Sequence, residues 1–149
     1  MTEYNEAKAI VKDSDDEAED TLSIKFTVSD PTKVSGHIQY TVRGVDSDGD
    51  FETTRRFREF YSLRNILMQR WPGCYIPAIP EKKTWGNKEE SFIEERRSLL
   101  ERFLKEISKF EYLVHSQEFK IFARDRGEID KVLVTLPKQT PLELLEKYR

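Results

Sequence analysis

The sequence predicts an α+β domain, on three observations. A period of two in hydrophobicity runs from Leu22 to Phe57. A helical period replaces it from Phe60 onward, and the join Trp71-Pro72-Gly73 punctuates the first helix. The expected product of the first part is a three-stranded antiparallel β-meander, and of the second three to four helices interrupted by a proline-rich loop.

Each element follows from local chemistry. Residues 1–20 carry eight acids against two lysines, a balance of −6, and are too polar to pack; they read as an acidic disordered tail. Within the tail, Ser14-Asp15-Asp16-Glu17 has the acidic context favoured by acid-directed kinases, against the simpler reading of a solvated spacer. Leu22, Ile24, Phe26 and Val28 alternate with polar residues, and Ile38, Tyr40 and Val42 repeat the alternation. After the turn signal Asp46-Ser47-Asp48-Gly49-Asp50, the run from Phe51 to Phe57 makes a third strand.

Phe60, Leu63, Ile66 and Leu67 then share one helical face. The connection from Tyr75 to Gly86 bears two prolines, and the long helix is expected to begin at Ser91, where Ser91-Phe92-Ile93-Glu94 fits a capping box. A shorter helix fits Ser116 to Ala123. Thr140-Pro141-Leu142-Glu143 announces a last helix running to Arg149, as in a module excised from a longer chain.

Composition bounds the function. At 149 residues the chain has the length of one domain, and its net charge of −3 leaves the 129 residues after the tail at +3. This is not the balance of a general nucleic-acid binder. A single cysteine, Cys74, excludes an internal disulfide framework, and His37 and His115 offer no metal-ligand spacing. There is no nucleophile–base spacing and no glycine-rich phosphate loop, so neither an enzyme nor a cofactor is expected. No run approaches the ~18 apolar residues of a membrane span, so membrane contact is expected to be peripheral.

The most informative residue is Arg96. On a helical wheel Phe92, Ile93, Leu99, Leu100, Phe103, Leu104 and Ile107 share one side, and Arg96 points within about 20° of their mean direction. An inward guanidinium needs an anion, either an internal carboxylate or a ligand, unless its stem snorkels at the helix start. Upstream, Arg55-Arg56-Phe57-Arg58-Glu59-Phe60 closes the third strand, where period two places Arg56 opposite Phe51, Arg55 and Phe57. Lys82 follows Pro77-Ala78-Ile79-Pro80. Three cations and one aromatic ring can surround one polyanionic ring.

These residues resemble the phox homology (PX) domain of sorting nexins over about residues 21–126. The resemblance rests on Arg55-Arg56-Phe57-Arg58-Glu59-Phe60, the helix-ending Trp71-Pro72, the segment Pro77 to Lys83, and Phe92 to Leu104 of the long helix. It implies the PX fold, a three-stranded sheet packed against a helical subdomain, and a headgroup cleft between the sheet and the proline-rich loop. Arg56 would grip the 3-phosphate of phosphatidylinositol 3-phosphate, Phe57 would form the floor under the inositol ring, Lys82 would meet the 1-phosphate, and Arg96 the 4- and 5-hydroxyls. Phenylalanine at 57 keeps the stacking face where the family often has tyrosine, and Pro77-Ala78 stands where it often has adjacent prolines.

The resemblance further implies that Trp85, with Lys83 and Lys88 around it, dips into the membrane interface. The implied role is a peripheral module on early endosomal membranes in the cytoplasm, serving protein sorting. Residues 127–149 would lead as a helical extension toward a missing downstream region, where protein partners would bind, and the isolated module would be monomeric. The alternative reading is a protein-interaction module, in which Pro77-Ala78-Ile79-Pro80 serves as a polyproline ligand for an SH3 groove, or cargo binds with a weak or broad lipid preference.

Overall fold

A computed structural model of the chain describes residues 26–82 and 89–147. Strands β1 (Phe26–Val34), β2 (His37–Asp46) and β3 (Gly49–Arg56) form one antiparallel sheet in the order β1-β2-β3, the expected meander. Val34 pairs with His37 across a two-residue turn in which Ser35 and Gly36 both have positive φ, the geometry that suits the twist of a tight hairpin. The β1–β2 register shifts between Ser29 and Thr32, where Asp30 takes a positive φ before Pro31. A proline is tolerated there because β1 is an edge strand and the residue lies in the irregularity.

Among the described residues six helical segments follow: α1 (Phe57–Arg70), α2 (Glu90–Ser108), α3 (Glu111–Val114), α4 (Gln117–Arg124), α5 (Asp130–Leu133) and α6 (Pro141–Lys147). The single-turn α3 and α5 carry too few residues to show a period in the sequence. Ser116 caps α4 by accepting from the Phe119 N–H, and Thr140 and Glu143 form the reciprocal capping box expected at α6. The box expected at Ser91 does not form. Helix α2 starts one residue earlier, at Glu90 after Glu89, and the Glu94 carboxylate turns outward to Arg97 at 2.7 Å.

The inner face of the sheet, Phe26, Val28, Tyr40, Val42 and Phe51, packs against Phe60, Leu63 and Leu67 of α1, Leu100, Phe103 and Ile107 of α2, and Phe119 and Phe122 of α4. Edge-to-face rings lock the layers, with Phe60 and Phe122 centroids 5.0 Å apart and Phe26 and Phe119 5.6 Å apart. Helix α2 also blunts the β1 edge: Arg97 donates to the Val28 carbonyl at 2.8 Å, and the Val28 N–H donates to Glu101 at 3.1 Å. Leu99, expected on the inward side, is 38% exposed. The apolar arc of α2 is wider than the surface the core covers, and Leu99 falls on its rim beside Tyr75, Ala78 and Ile79.

Candidate functional site

The two arginines that end β3 go opposite ways. Arg55 faces the core and is consumed by it: Nε donates to the Phe122 carbonyl at 2.9 Å, Nη1 to the Thr54 carbonyl at 3.1 Å, and Nη2 to the Asp125 carbonyl. The Glu59 carboxylate lies 3.6 Å away. Arg55 thereby ties β3 to α1 and to the C-terminal end of α4. Burial pulls its guanidinium below its ordinary range, and Glu59 opposes that.

Arg56 faces outward, as period two predicts. It occupies the cap position of α1, where its own backbone N–H donates to Glu59 at 3.0 Å. An arginine has no acceptor with which to return that bond, so its side chain is not committed to the cap. The guanidinium instead donates through Nη2 to Nδ1 of His37, 3.0 Å away on the neighbouring strand.

Phe57 does not continue the strand alternation, because the chain turns into helix there. As the first residue of α1 it is half-buried rather than in the core, and the Arg96 guanidinium carbon sits 3.8 Å from its ring centroid. The same guanidinium carbon also lies over the Phe92 ring, 4.5 Å from its centroid. Tyr61, one helical turn after Phe57, places its ring 6.2 Å from the Phe57 ring, and the Lys82 ammonium lies 4.0 Å above Tyr61. A short row of rings on α1 therefore carries Lys82 at one end and Arg96 at the other.

The electrostatics of this row decide its chemistry. Arg96 is only 8% exposed, and among the described residues no carboxylate lies within ion-pair distance of Arg56, Lys82 or Arg96. Arg96 donates through Nη2 to the Glu81 carbonyl at a long 3.4 Å, and its Nε is buried with no hydrogen-bond partner. Burial pulls the guanidinium below its ordinary range, with the nearby Tyr40 phenol opposing. An arginine nevertheless remains cationic, so the site holds a dehydrated charge that favours an anion. The internal carboxylate open to Arg96 on sequence grounds is not found among the described residues.

Of the sequence-predicted residues, Phe57, Lys82 and Arg96 meet through the Phe57–Tyr61 pair, and Arg56 joins by being next to Phe57 in the chain. Trp85 and Lys83 lie outside the described residues. Tyr61 and His37 were not singled out by the sequence reading. The spacing of four from Phe57 was a signal for Tyr61; His37 had none, since its role comes from cross-strand pairing. The proline-bearing segment is held by Arg64, whose Nε donates to the Pro77 carbonyl at 2.8 Å, and by Tyr112, whose hydroxyl donates to the Tyr75 carbonyl at 2.6 Å. Pro77 is buried, so Pro77-Ala78-Ile79-Pro80 is built into the fold rather than presented as a free polyproline strand.

The PX domain family model matches residues 44–126, from the end of β2 to just past α4. The chain belongs to the PX domain family. Among relatives, this PX domain is 37% identical over 91 residues to the vacuolar protein sorting-associated protein vps5 of Schizosaccharomyces pombe, covering 61% of this chain and 15% of the relative. It is 31% identical over 137 residues to sorting nexin-30 of Xenopus tropicalis, covering 82% of this chain and 31% of the relative. It therefore spans a third or less of the length of these relatives. Among solved structures, a designed CISK-PX domain superposes with a TM-score of 0.61 at 26% identity, covering 67% of this chain and 98% of that one. The Vam7p PX domain, at 20% identity and a TM-score of 0.50, shares the fold.

Proposed function

We propose that this PX domain, residues 21–126, binds phosphatidylinositol 3-phosphate and so brings the protein that carries it to early endosomal membranes for protein sorting. The observation that carries the reading is the convergence of Lys82 and Arg96 on the Phe57–Tyr61 rings, beside Arg56, with no carboxylate among the described residues to neutralise them. A cluster of cations against aromatic rings suits a phosphorylated inositol. The rings offer the sugar an apolar face, and the guanidinium forks suit phosphate oxygens and vicinal hydroxyls.

In this reading Arg56 grips the 3-phosphate, Phe57 lies under the inositol, Lys82 meets the 1-phosphate and Arg96 binds the 4- and 5-hydroxyls. Arg96 is packed against the Phe57 and Phe92 rings and is buried, so it has little freedom to make room for a phosphate at those hydroxyls, and selectivity comes from exclusion as well as attraction. Trp85 and Lys83 contribute interfacial insertion and attraction to anionic lipid, the latter about 1 kcal/mol per basic residue near the surface. The names of the relatives, a vacuolar protein sorting protein and a sorting nexin, support the trafficking role. The module acts as a monomer on the cytoplasmic face of the membrane.

The test is co-sedimentation with phosphatidylcholine vesicles, each carrying one phosphoinositide, at physiological salt. The expected result is recovery with the 3-phosphate lipid and much weaker recovery with phosphatidylinositol and the bisphosphorylated lipids. Equal recovery with every anionic vesicle would mean a charge-only surface and no headgroup site.

A further inference from the structure

We propose that His37 is a positioning residue for Arg56, and that its protonation strengthens the grip of this site on a phosphate monoester at a membrane. The inference rests on the reading of Arg56 as the phosphate ligand. His37 opens β2, Gln39 pairs with Arg56 across the β2–β3 ladder, and period two brings residues 37, 39 and 56 to the outward face of the sheet. His37 and Arg56 are thus diagonal neighbours, and the Arg56 Nη2 to His37 Nδ1 distance is 3.0 Å.

The chemistry of that contact fixes the protonation state. A guanidinium donates and never accepts, so Nδ1 must carry a lone pair and His37 must be neutral, with its proton on Nε2. Neutral His37 therefore occupies one of the donors that Arg56 would turn on a phosphate. Proton uptake at Nδ1 removes the acceptor, ends the hydrogen bond and sets two cations side by side. Arg56 is then released, and an anion placed between the two side chains accepts from both.

The surroundings permit this. His37 is exposed, and among the described residues no carboxylate lies within ion-pair distance of it. Of the charged groups on the neighbouring elements, Lys33 on β1 pairs with Ile38 and so takes the other face of the sheet, Glu59 in the first turn of α1 is engaged by the Arg56 N–H and by Arg55, and Arg96 of α2 lies on the Phe57 ring. The sign follows from these groups. A phosphate binds more favourably to protonated than to neutral His37, so affinity rises as the pH falls.

The experiment compares the parent chain with His37→Gln, which can still offer Arg56 an acceptor but does not titrate. Both are co-sedimented with phosphatidylcholine vesicles carrying phosphatidylinositol 3-phosphate at about pH 7.5 and about pH 5.5. The lipid phosphate takes up its own proton near pH 6 in both cases, so the readout is the acid-to-neutral affinity ratio of the parent divided by that of the variant. The expected quotient is about threefold or more, the scale of one charge-assisted contact. A quotient of one with both proteins binding overturns the role of His37 and leaves the lipid reading standing. Failure of both proteins to bind at either pH overturns the lipid reading and this inference with it.

Discussion

Arg55 and Arg56 are adjacent in the chain and separated by their surroundings. Around Arg55, β3, α1 and α4 supply carbonyl oxygens and a carboxylate, and the side chain is spent on holding three elements together. Around Arg56, Lys82 and Arg96 the protein supplies rings, a histidine nitrogen and a distant carbonyl. A cation given anions and acceptors by its own fold is structural, whereas one left on aromatic faces retains its pull on an anion from outside. The same contrast holds at the far hairpin. There the Asp46 carboxylate is clamped by Arg124 and by Lys120 at 3.1 Å, both from α4.

The contrast breaks first, and most heavily, at Arg55. Arg55→Ala should cost about 3–5 kcal/mol of folding stability in a denaturant titration, because it deletes a buried charge network and strands its acceptors. A loss under about 1 kcal/mol would erase the distinction between the two arginines.

Asp46 sharpens the structural side. Burial alone would raise its carboxyl, but the bonds from Arg124, the Asp48 N–H and Lys120 outweigh that and bring it below the ordinary carboxylate range. With the folded value below an unfolded value of about 3.9, the stabilisation is fully present above that value and fades as the pH falls through the folded one. Asp46→Asn should therefore cost about 1–2 kcal/mol near neutrality and make stability fall less steeply in strong acid, measured by unfolding at a series of pH values.

Arg96 sharpens the other side. Arg96→Met keeps an apolar stem between Phe57 and Phe92 and removes a charge with an unpartnered Nε. Stability should stay level or rise by up to about 1 kcal/mol, while recovery on 3-phosphate vesicles falls and bisphosphorylated lipids are less strongly excluded. A clear loss of stability would mean that the guanidinium is held for packing.

Most of this was legible in the sequence, for reasons that can be located. Period two gave the meander and the opposed facing of Arg55 and Arg56. The wheel gave the inward Arg96, which the structure buries to 8% exposure. The capping box at Ser91 failed because Glu94 has a nearer partner in Arg97, a competition that a cap motif alone does not register. Leu99 and Phe57 were misplaced because a wheel or an alternation assumes a neighbour of fixed width, or a strand that does not end. The contacts of Tyr61 with Lys82, His37 with Arg56, and Asp46 with Arg124 join residues 19 to 78 positions apart. Such pairs arise from the packing of elements and have no local signature.

The most direct measurement is thermal unfolding and 3-phosphate vesicle binding on the same preparation of Arg56→Ala. A melting temperature within about 2 °C of the parent is expected, since the half-buried side chain makes its contact with His37 at the surface and is uncommitted to the cap. Vesicle affinity should fall at least about tenfold, the worth of a bidentate charge-assisted contact. Unchanged binding, or a fall in melting temperature like that of Arg55→Ala, would contradict the account.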